Sequence, residues 1–157
     1  MLSHIDDQNQ PQMVNIGGKP ITRRTATARS IVALPDNIAN AFSGGELVTK
    51  KGPVIQTAIL AGVMAAKRTS ELIPLCHPLG LDDCKVAIEF DPALGLAVTC
   101  TASVQARTGV EMEALTGASV AALNIYDMCQ EMSHDIVIRE TRLISKTDKK
   151  NDYELQS

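Results

Sequence analysis

Two alternating segments joined by a short turn constrain the fold of this chain more than any other feature. In residues 84–90, large apolar side chains lie on one face and Lys85 and Glu89 on the other, and a longer alternation runs through residue 106 after the turn at residues 91–95. A period of two predicts strands that bury one face. The residues expected on the buried face are Cys84, Val86, Ile88, Phe90, Leu96, Val98, Cys100, Ala102, Val104 and Ala106.

Helical and extended segments flank these two strands on both sides. A β-branched stretch at 25–34 predicts a first strand, and residues 36–42 predict a short helix. Pro53 suits the first position of a helix, which Pro74 should stop at about residue 73. The residues from Thr108 to Glu111 have the spacing of a capping box, which predicts a helix reaching about residue 132.

A last strand at 136–146 completes the order strand, helix, strand, strand, helix, strand. This order predicts an α+β, ferredoxin-like βαββαβ fold with an antiparallel sheet and two long helices. We expect a mobile N-terminal arm at 1–24, one domain at 25–147 and a polar C-terminal tail at 148–157.

Both long helices carry apolar residues on every side, including Leu60, Met64 and Leu123. A helix that rests on one sheet needs only one apolar stripe. We therefore expect self-association to bury the remainder, and a more elaborate monomer is the alternative.

Composition and charge narrow the function classes. The 157 residues carry a net charge of −3, so the chain lacks the general basic field typical of nucleic-acid binding. The longest uncharged runs, 52–66 and 114–126, are shorter than the ~20 apolar residues that span a bilayer. The four cysteines lack C-x-x-C spacing and there are only three histidines, so the sequence predicts no metal site. The N-terminus is polar and lacks the order of a secretory signal, which favours a cytoplasmic protein.

His77 is the most conspicuous candidate for chemistry. It lies between Pro74 and Pro78, which stiffen the backbone, and it follows the basic pair Lys67-Arg68 at a helix end. This arrangement suits an anionic ligand that exchanges protons. The alternative is a surface or capping histidine beside a simple helix-surface ion pair.

Charged residues near the two long helices form further candidates. Lys50 and Lys51 precede a helix start, where unpaired N–H groups could hold a phosphate, although they could equally be a solvated pair. Glu111 and Glu113 lie in a first turn but point about 200° apart, so at most one enters a given cavity. Asp127 is an isolated carboxylate after 13 uncharged residues and is either an acid–base group or an exposed residue at a frayed end.

Two long motifs carry a specific resemblance. KGPVIQTAILAGVMAAKRTSELIPLCHPL at 51–79 and TGVEMEALTGASVAALNIYDMC at 108–129 closely resemble the cyclic pyranopterin monophosphate synthase family, over about residues 13–146. The resemblance implies a ferredoxin-like subunit in a homohexamer, a trimer of dimers, with active sites at subunit contacts. It also implies a lyase of molybdenum cofactor biosynthesis that uses no metal, flavin or nicotinamide.

The implied reaction rearranges 3′,8-cyclo-7,8-dihydro-GTP to cyclic pyranopterin monophosphate with loss of pyrophosphate, downstream of the radical enzyme that makes this purine nucleotide-derived substrate. Position by position, the resemblance assigns catalytic roles to Asp127 and Lys51. The substrate contacts that it implies, together with the neighbouring charged groups that could assist them, are Leu75, Cys76, His77, Met112, Glu113, Glu111, Lys146, Lys67 and Arg68.

Three departures from the family pattern bear on turnover. Gln130 stands where a lysine is usual, residues 147–152 replace a Gly-Gly-Lys-Ser-Gly stretch, and Asn15 and Gly17 replace an Asp-x-Ser pattern. Glutamine cannot exchange a proton near neutral pH. The chain is thus expected to be an active synthase in which Lys51, His77, Lys146 or a tail lysine (Lys149, Lys150) compensates. The alternatives are a homologue that binds this ligand without efficient turnover and an assembly subunit.

Overall fold

A five-stranded antiparallel sheet with two long helices on one face forms the fold. The computed structural model of the chain describes residues 4–148 and 152–156. In chain order the elements are β1 Thr22–Ala33, α1 Asp36–Ala39, β2 Val48–Thr49, β3 Gly52–Pro53, α2 Val54–Lys67, α3 Thr69–Leu72, β4 Asp83–Asp91, β5 Gly95–Ala106, α4 Glu111–Cys129, β6 Val137–Thr147 and β7 Tyr153–Glu154.

The strands lie in the order β4-β5-β1-β6-β7, and every neighbouring pair is antiparallel. Without the short β7, this is the strand order expected when two βαβ units interlock. The predicted α+β, ferredoxin-like fold is therefore confirmed.

The two sheet faces differ in chemistry. Alternate residues of β1 and β5, such as Ala28, Val98 and Cys100, are fully buried beneath the helices. On the opposite face hydroxyl groups pair between strands, as in Thr27 Oγ1 to Thr101 Oγ1 at 3.0 Å. The predicted alternation of β5 is confirmed, whereas Phe90 near the end of β4, expected on the buried face, is 44% exposed.

Two glycines allow α2 and α4 to cross at close range above the sheet. A Cβ at Gly62 would lie 2.9 Å from the carbonyl oxygen of Gly117 and 2.9 Å from Val86 Cγ2. A Cβ at Gly117 would lie 2.5 Å from Cys100 Sγ. Side chains at these positions would force the helices away from each other and from β4 and β5.

The first long helix is shorter than predicted. It ends at Lys67, and Arg68 leaves helical geometry with φ −113° and ψ 19° before the separate helix α3. The buried Thr69 hydroxyl donates to the carbonyl oxygen of Ala66 at 2.9 Å. This bond occupies a carbonyl of the last turn and helps to end α2 before Pro74 is reached.

The predicted capping box at the start of α4 is wrong. The residue before the helix is Val110, and no side chain caps the first turn. The Glu111 carboxylate instead lies over Gly109, where a Cβ would collide with it, and extends toward Lys146. The helix also ends at Cys129, three residues before the expected position.

The outer faces of the long helices are apolar. The exposed fractions of Leu60, Leu123 and Met64 are 59%, 58% and 43%. This agrees with the surplus of apolar helix positions seen in the sequence. Within the described parts of the chain, no helix is both long and apolar enough to cross a membrane.

Replacement of Gly62 by valine is expected to destabilise the fold by about 1–3 kcal/mol, because the added side chain overpacks the helix crossing. The free energy of unfolding in urea measures this loss. Gly18→Ala is the control, since nothing lies within 4 Å of a Cβ there. Equal stability of the two variants would contradict the close crossing.

Candidate functional site

Most of the predicted substrate contacts line one cavity of about 310 Å³, which we call the His77 pocket. One wall is the segment between α3 and β4, and another is the first turn of α4 with the residues before it. The predicted residues in its lining are Leu75, Cys76, His77, Glu111, Met112 and Glu113. The expectation that at most one of Glu111 and Glu113 enters a given cavity is therefore wrong, because the cavity extends around the first turn of α4.

The N-terminal arm supplies a third wall of the His77 pocket. His77 Nε2 donates a hydrogen bond to the carbonyl oxygen of Val14 at 2.5 Å. Because a carbonyl can only accept, Nε2 carries the ring proton in this contact. His4, Ile16 and Lys19 also line the cavity. The sequence offered no signal for these four arm residues, because their apposition to His77 spans about 60 positions.

Glu113 is the most perturbed acid in this cavity. Its side chain is buried in the first turn of α4, with only 4% of the residue exposed. Burial raises the pKa of Glu113 above its usual value, and the nearby Glu111 charge raises it further. Burial and the Glu113 carboxylate likewise raise the pKa of the Cys76 thiol. Its raised pKa makes Glu113 the acid of this cavity best suited to donate or accept a proton.

A chain of ion pairs borders the His77 pocket. Lys146 Nζ lies 3.8 Å from Glu111 Oε1 and 3.9 Å from Asp148 Oδ2. Arg24 Nη1 lies 3.6 Å from the same Asp148 oxygen. The β6 strand thus holds Lys146 beside the predicted contacts of α4. Arg24 and Asp148 were not among the predicted residues, because only strand pairing brings them here.

Lys51 and Asp127 form a second cluster. Lys51 Nζ donates to Asp127 Oδ2 at 2.9 Å, and both side chains are about half exposed. Gln130 Nε2 donates to Asp127 Oδ1 at 3.2 Å. Both carboxylate oxygens are thus hydrogen-bonded, one by the predicted catalytic lysine and one by the glutamine that departs from the family pattern.

The two clusters lie at opposite ends of α4. Glu111 begins this helix and Asp127 is sixteen residues further on, which corresponds to about 24 Å along the axis. A ligand the size of a nucleotide cannot contact both clusters of a single chain.

Lys67 and Arg68 lie outside both clusters. Lys67 lines a separate cavity with Cys84 and Asp83, whereas Arg68 borders an apolar depression with Met64 and Leu72. Their role as substrate contacts stays a prediction. Lys149 and Lys150 are not among the residues that the structure describes.

The start of α2 is closed to a phosphate by the chain itself. The Glu46 carboxylate accepts the N–H groups of Ile55 at 2.7 Å and Gln56 at 3.1 Å. Burial alone would raise the pKa of Glu46, but these bonds, together with that from Leu47, lower it below its ordinary value. The idea of a phosphate site on these N–H groups is therefore wrong, and Lys51 on the preceding turn is paired with Asp127.

No group of three or more histidine, cysteine, aspartate or glutamate side chains is arranged to hold a metal within residues 4–148 and 152–156. The expectation of a site without a metal or other cofactor stays a prediction.

Comparison with known proteins identifies relatives over nearly the whole chain. Residues 13–148 match the model of the MoaC family. A protein of Xanthomonas oryzae pv. oryzae named cyclic pyranopterin monophosphate synthase is 50% identical over 151 residues, which cover 96% of this chain and 92% of that protein. A molybdenum cofactor biosynthesis bifunctional protein of Synechocystis is 48% identical over 156 residues, covering 97% of this chain and 45% of the relative.

The Glu113→Gln variant is expected to be more stable than the native chain at neutral pH. A carboxyl group whose pKa is raised by folding makes the folded protein less stable as pH rises above the pKa of that group in the unfolded state, about 4.3. The reason is that the group ionises more readily in the unfolded state than in the folded state. The difference in unfolding free energy should shrink as pH falls toward 4. Urea unfolding across this range measures it.

The matched exchange Glu89→Gln, at an exposed position on β4, is the control for this comparison. Identical pH profiles of the two variants would contradict the burial of an ionisable Glu113.

Proposed function

The chain belongs to the MoaC family, and we propose that it catalyses the rearrangement of 3′,8-cyclo-7,8-dihydro-GTP to cyclic pyranopterin monophosphate with release of pyrophosphate. The family match and the 50% identity to a named synthase support this reaction. The observation that assigns the reaction to a site is the His77 pocket, because six residues that were predicted from two distant motifs line this one cavity.

Cations near the His77 pocket suit a triphosphate ligand. Lys19 lines the cavity, and Lys146 lies at its border through its contact with Glu111. Such ammonium groups would offset phosphate charge in a partly dehydrated site. A substrate phosphate would compete with Glu111 for Lys146, because Lys146 Nζ and Glu111 Oε1 are 3.8 Å apart, which is too far for a hydrogen bond.

The proton transfers of ring opening and pterin closure require groups that change protonation. We assign these to Glu113, whose burial favours the neutral acid, and to Asp127, which accepts a hydrogen bond from Lys51 Nζ at 2.9 Å. His77 is assigned to substrate orientation, with its Nε2 proton held by Val14. Closure of the cyclic phosphate then needs a sugar hydroxyl aligned with the α-phosphorus, and pyrophosphate leaves.

A complete site is proposed to form between two copies of the chain. The separation of about 24 Å along α4 keeps the Lys51–Asp127 pair away from its own His77 pocket. In a pair of copies related by a twofold axis, the pair from one copy can meet the pocket of the other. The exposed Leu60, Met64 and Leu123 supply apolar surface for assembly, and we propose the homohexamer built as a trimer of dimers.

We place this step in the cytoplasm, after a radical enzyme that supplies the cyclo-GTP substrate. Four cysteines without a disulfide are consistent with a reducing compartment. The domain at 25–147 is proposed to carry the chemistry, with the arm at 1–24 contributing Val14 and Lys19 to the pocket wall.

Incubation of the purified protein with 3′,8-cyclo-7,8-dihydro-GTP is expected to yield one pyrophosphate for each pyranopterin formed. Chromatography of the oxidised pterin and a coupled pyrophosphate assay measure both products. Ligand binding without product would refute the synthase reaction and favour the binding protein. Weak ligand binding with a stable complex to another pathway protein would favour the assembly subunit.

The same assay on Gln130→Lys tests whether glutamine at this position, where a lysine is usual in the family, limits turnover. We expect less than a 100-fold gain, a difference of about 2.7 kcal/mol in activation free energy, because Gln130 already supports Asp127 by a hydrogen bond. A larger gain would show that the glutamine impairs turnover.

Mixing two inactive variants tests the shared site. Asp127→Asn and His77→Ala are each expected to lose activity. A 1:1 mixture of the two variants that is unfolded and refolded together should regain about a quarter of the native rate. The reason is that half of the twofold dimers then contain one copy of each variant, and each such dimer has one intact site out of two. A mixture of the two variants that were refolded separately is the control. Absence of recovery in verified mixed assemblies would contradict the shared site.

A further inference from the structure

Two cysteines lie side by side at the edge of the sheet, and neither lines the His77 pocket. Cys84 is the second residue of edge strand β4, and its Sγ lies 3.8 Å from Sγ of Cys100 on β5. In the strand register Cys84 is opposite Ala102 and Cys100 is opposite Val86, so the two cysteines are diagonal neighbours on the helix-facing side. The proposed function does not use either thiol.

The two thiols differ in access to solvent. Cys100 is fully buried, whereas Cys84 is half-buried and lines an open cavity of about 460 Å³ with Lys67 and Leu79. A small oxidant can therefore reach Cys84 directly, and Cys100 only through Cys84.

The surroundings also make Cys84 the more acidic of the two. Donation by the Cys100 S–H group lowers the pKa of Cys84, burial and Asp83 oppose this, and the Lys67 charge lowers it further. Donation of that hydrogen bond, together with burial, raises the pKa of Cys100. Cys84 is thus the thiol of the pair that ionises more readily and acts as the nucleophile, and Cys100 is its partner.

We propose that Cys84 and Cys100 form a reversible oxidation site, in which a peroxide oxidises Cys84 and Cys100 then closes an intramolecular disulfide. Neither thiol belongs to the proposed active site, and the test of the oxidation site is independent of the synthase reaction.

The two steps balance with hydrogen peroxide as the oxidant. The Cys84 thiolate attacks one peroxide oxygen, the O–O bond breaks, and protonation of the leaving hydroxide gives water and a sulfenic acid on Cys84. Cys100 sulfur then attacks the Cys84 sulfur, the S–O bond breaks, and the Cys100 proton leaves with the hydroxyl as a second water. The two thiols lose two electrons in total, and the peroxide gains them.

Closure of the disulfide requires the sulfur atoms to approach by about 1.8 Å, from 3.8 Å to the bonded distance of about 2.0 Å. No side chain of α4 covers Cys100 at Gly117, where a Cβ would lie 2.5 Å from the Cys100 sulfur. Diagonal neighbours are more widely spaced than most disulfides favour, so β4 must shift near its first residues. The bond should consequently be strained and easily reduced by a dithiol.

Peptide mapping of the intact protein after treatment with hydrogen peroxide tests this site. Cleavage before aspartate separates all four cysteines, with Cys76 in 36–81, Cys84 in 83–90, Cys100 in 91–126 and Cys129 in 127–134. We expect a linked pair of 83–90 and 91–126 as the main oxidised product, which dithiothreitol separates again. Oxidation of Cys129 at the rate of Cys84, or a predominant link from Cys76, would overturn the proposal.

Two single variants distinguish the roles of the thiols. In Cys100→Ser, the Cys84 sulfenic acid should persist and react with dimedone, since its resolving thiol is gone. In Cys84→Ser, Cys100 should stay reduced at the same peroxide concentration. Circular dichroism verifies that each variant is folded. Equal dimedone labelling of peptide 83–90 in the native chain and Cys100→Ser would contradict the resolving role of Cys100.

Discussion

The close crossing of α2 and α4 is the constraint on which the other features depend. Gly62 and Gly117 face each other so closely that a Cβ on either would meet backbone or sulfur. This crossing sits near the middle of α4, and both proposed halves of the active site are at the ends of the same helix. A rigid α4 pinned at its centre therefore sets the positions of Glu113 and Asp127 together, although they do not meet within one chain.

Burial and charge oppose each other in the His77 pocket. Glu113 is buried beside Glu111, an arrangement that costs stability when both are ionised but keeps Glu113 available for proton transfer. The arm supplies the carbonyl that holds His77, and β6 supplies the lysine that faces Glu111. The cavity thus depends on the N-terminal arm and on the last long strand, not only on the two motifs.

Local patterns predicted the elements well where one physical rule dominated. Alternation located β5, because its apolar residues have only one face to bury. The capping box was wrong, because the carboxylate of Glu111 lies over Gly109 and extends toward Lys146, which is distant in sequence. The helix end at Lys67 was missed for a similar reason, since Thr69 binds carbonyls of the last turn before Pro74 can act. Glu46 at the start of α2 gave no local signal, because it lies nine residues before the N–H group that it binds.

The sequence by itself determined the order of strands and helices, the excess of apolar helix surface and the family motifs, because these depend on side-chain periodicity and residue identity along the chain. Only the tertiary structure decided that Glu111, Glu113 and His77 share a cavity, that Lys51 pairs with Asp127 far from it, and that Cys84 meets Cys100. Those outcomes depend on the strand register and on the length of α4, because these determine which residues that are distant in sequence lie close together in space.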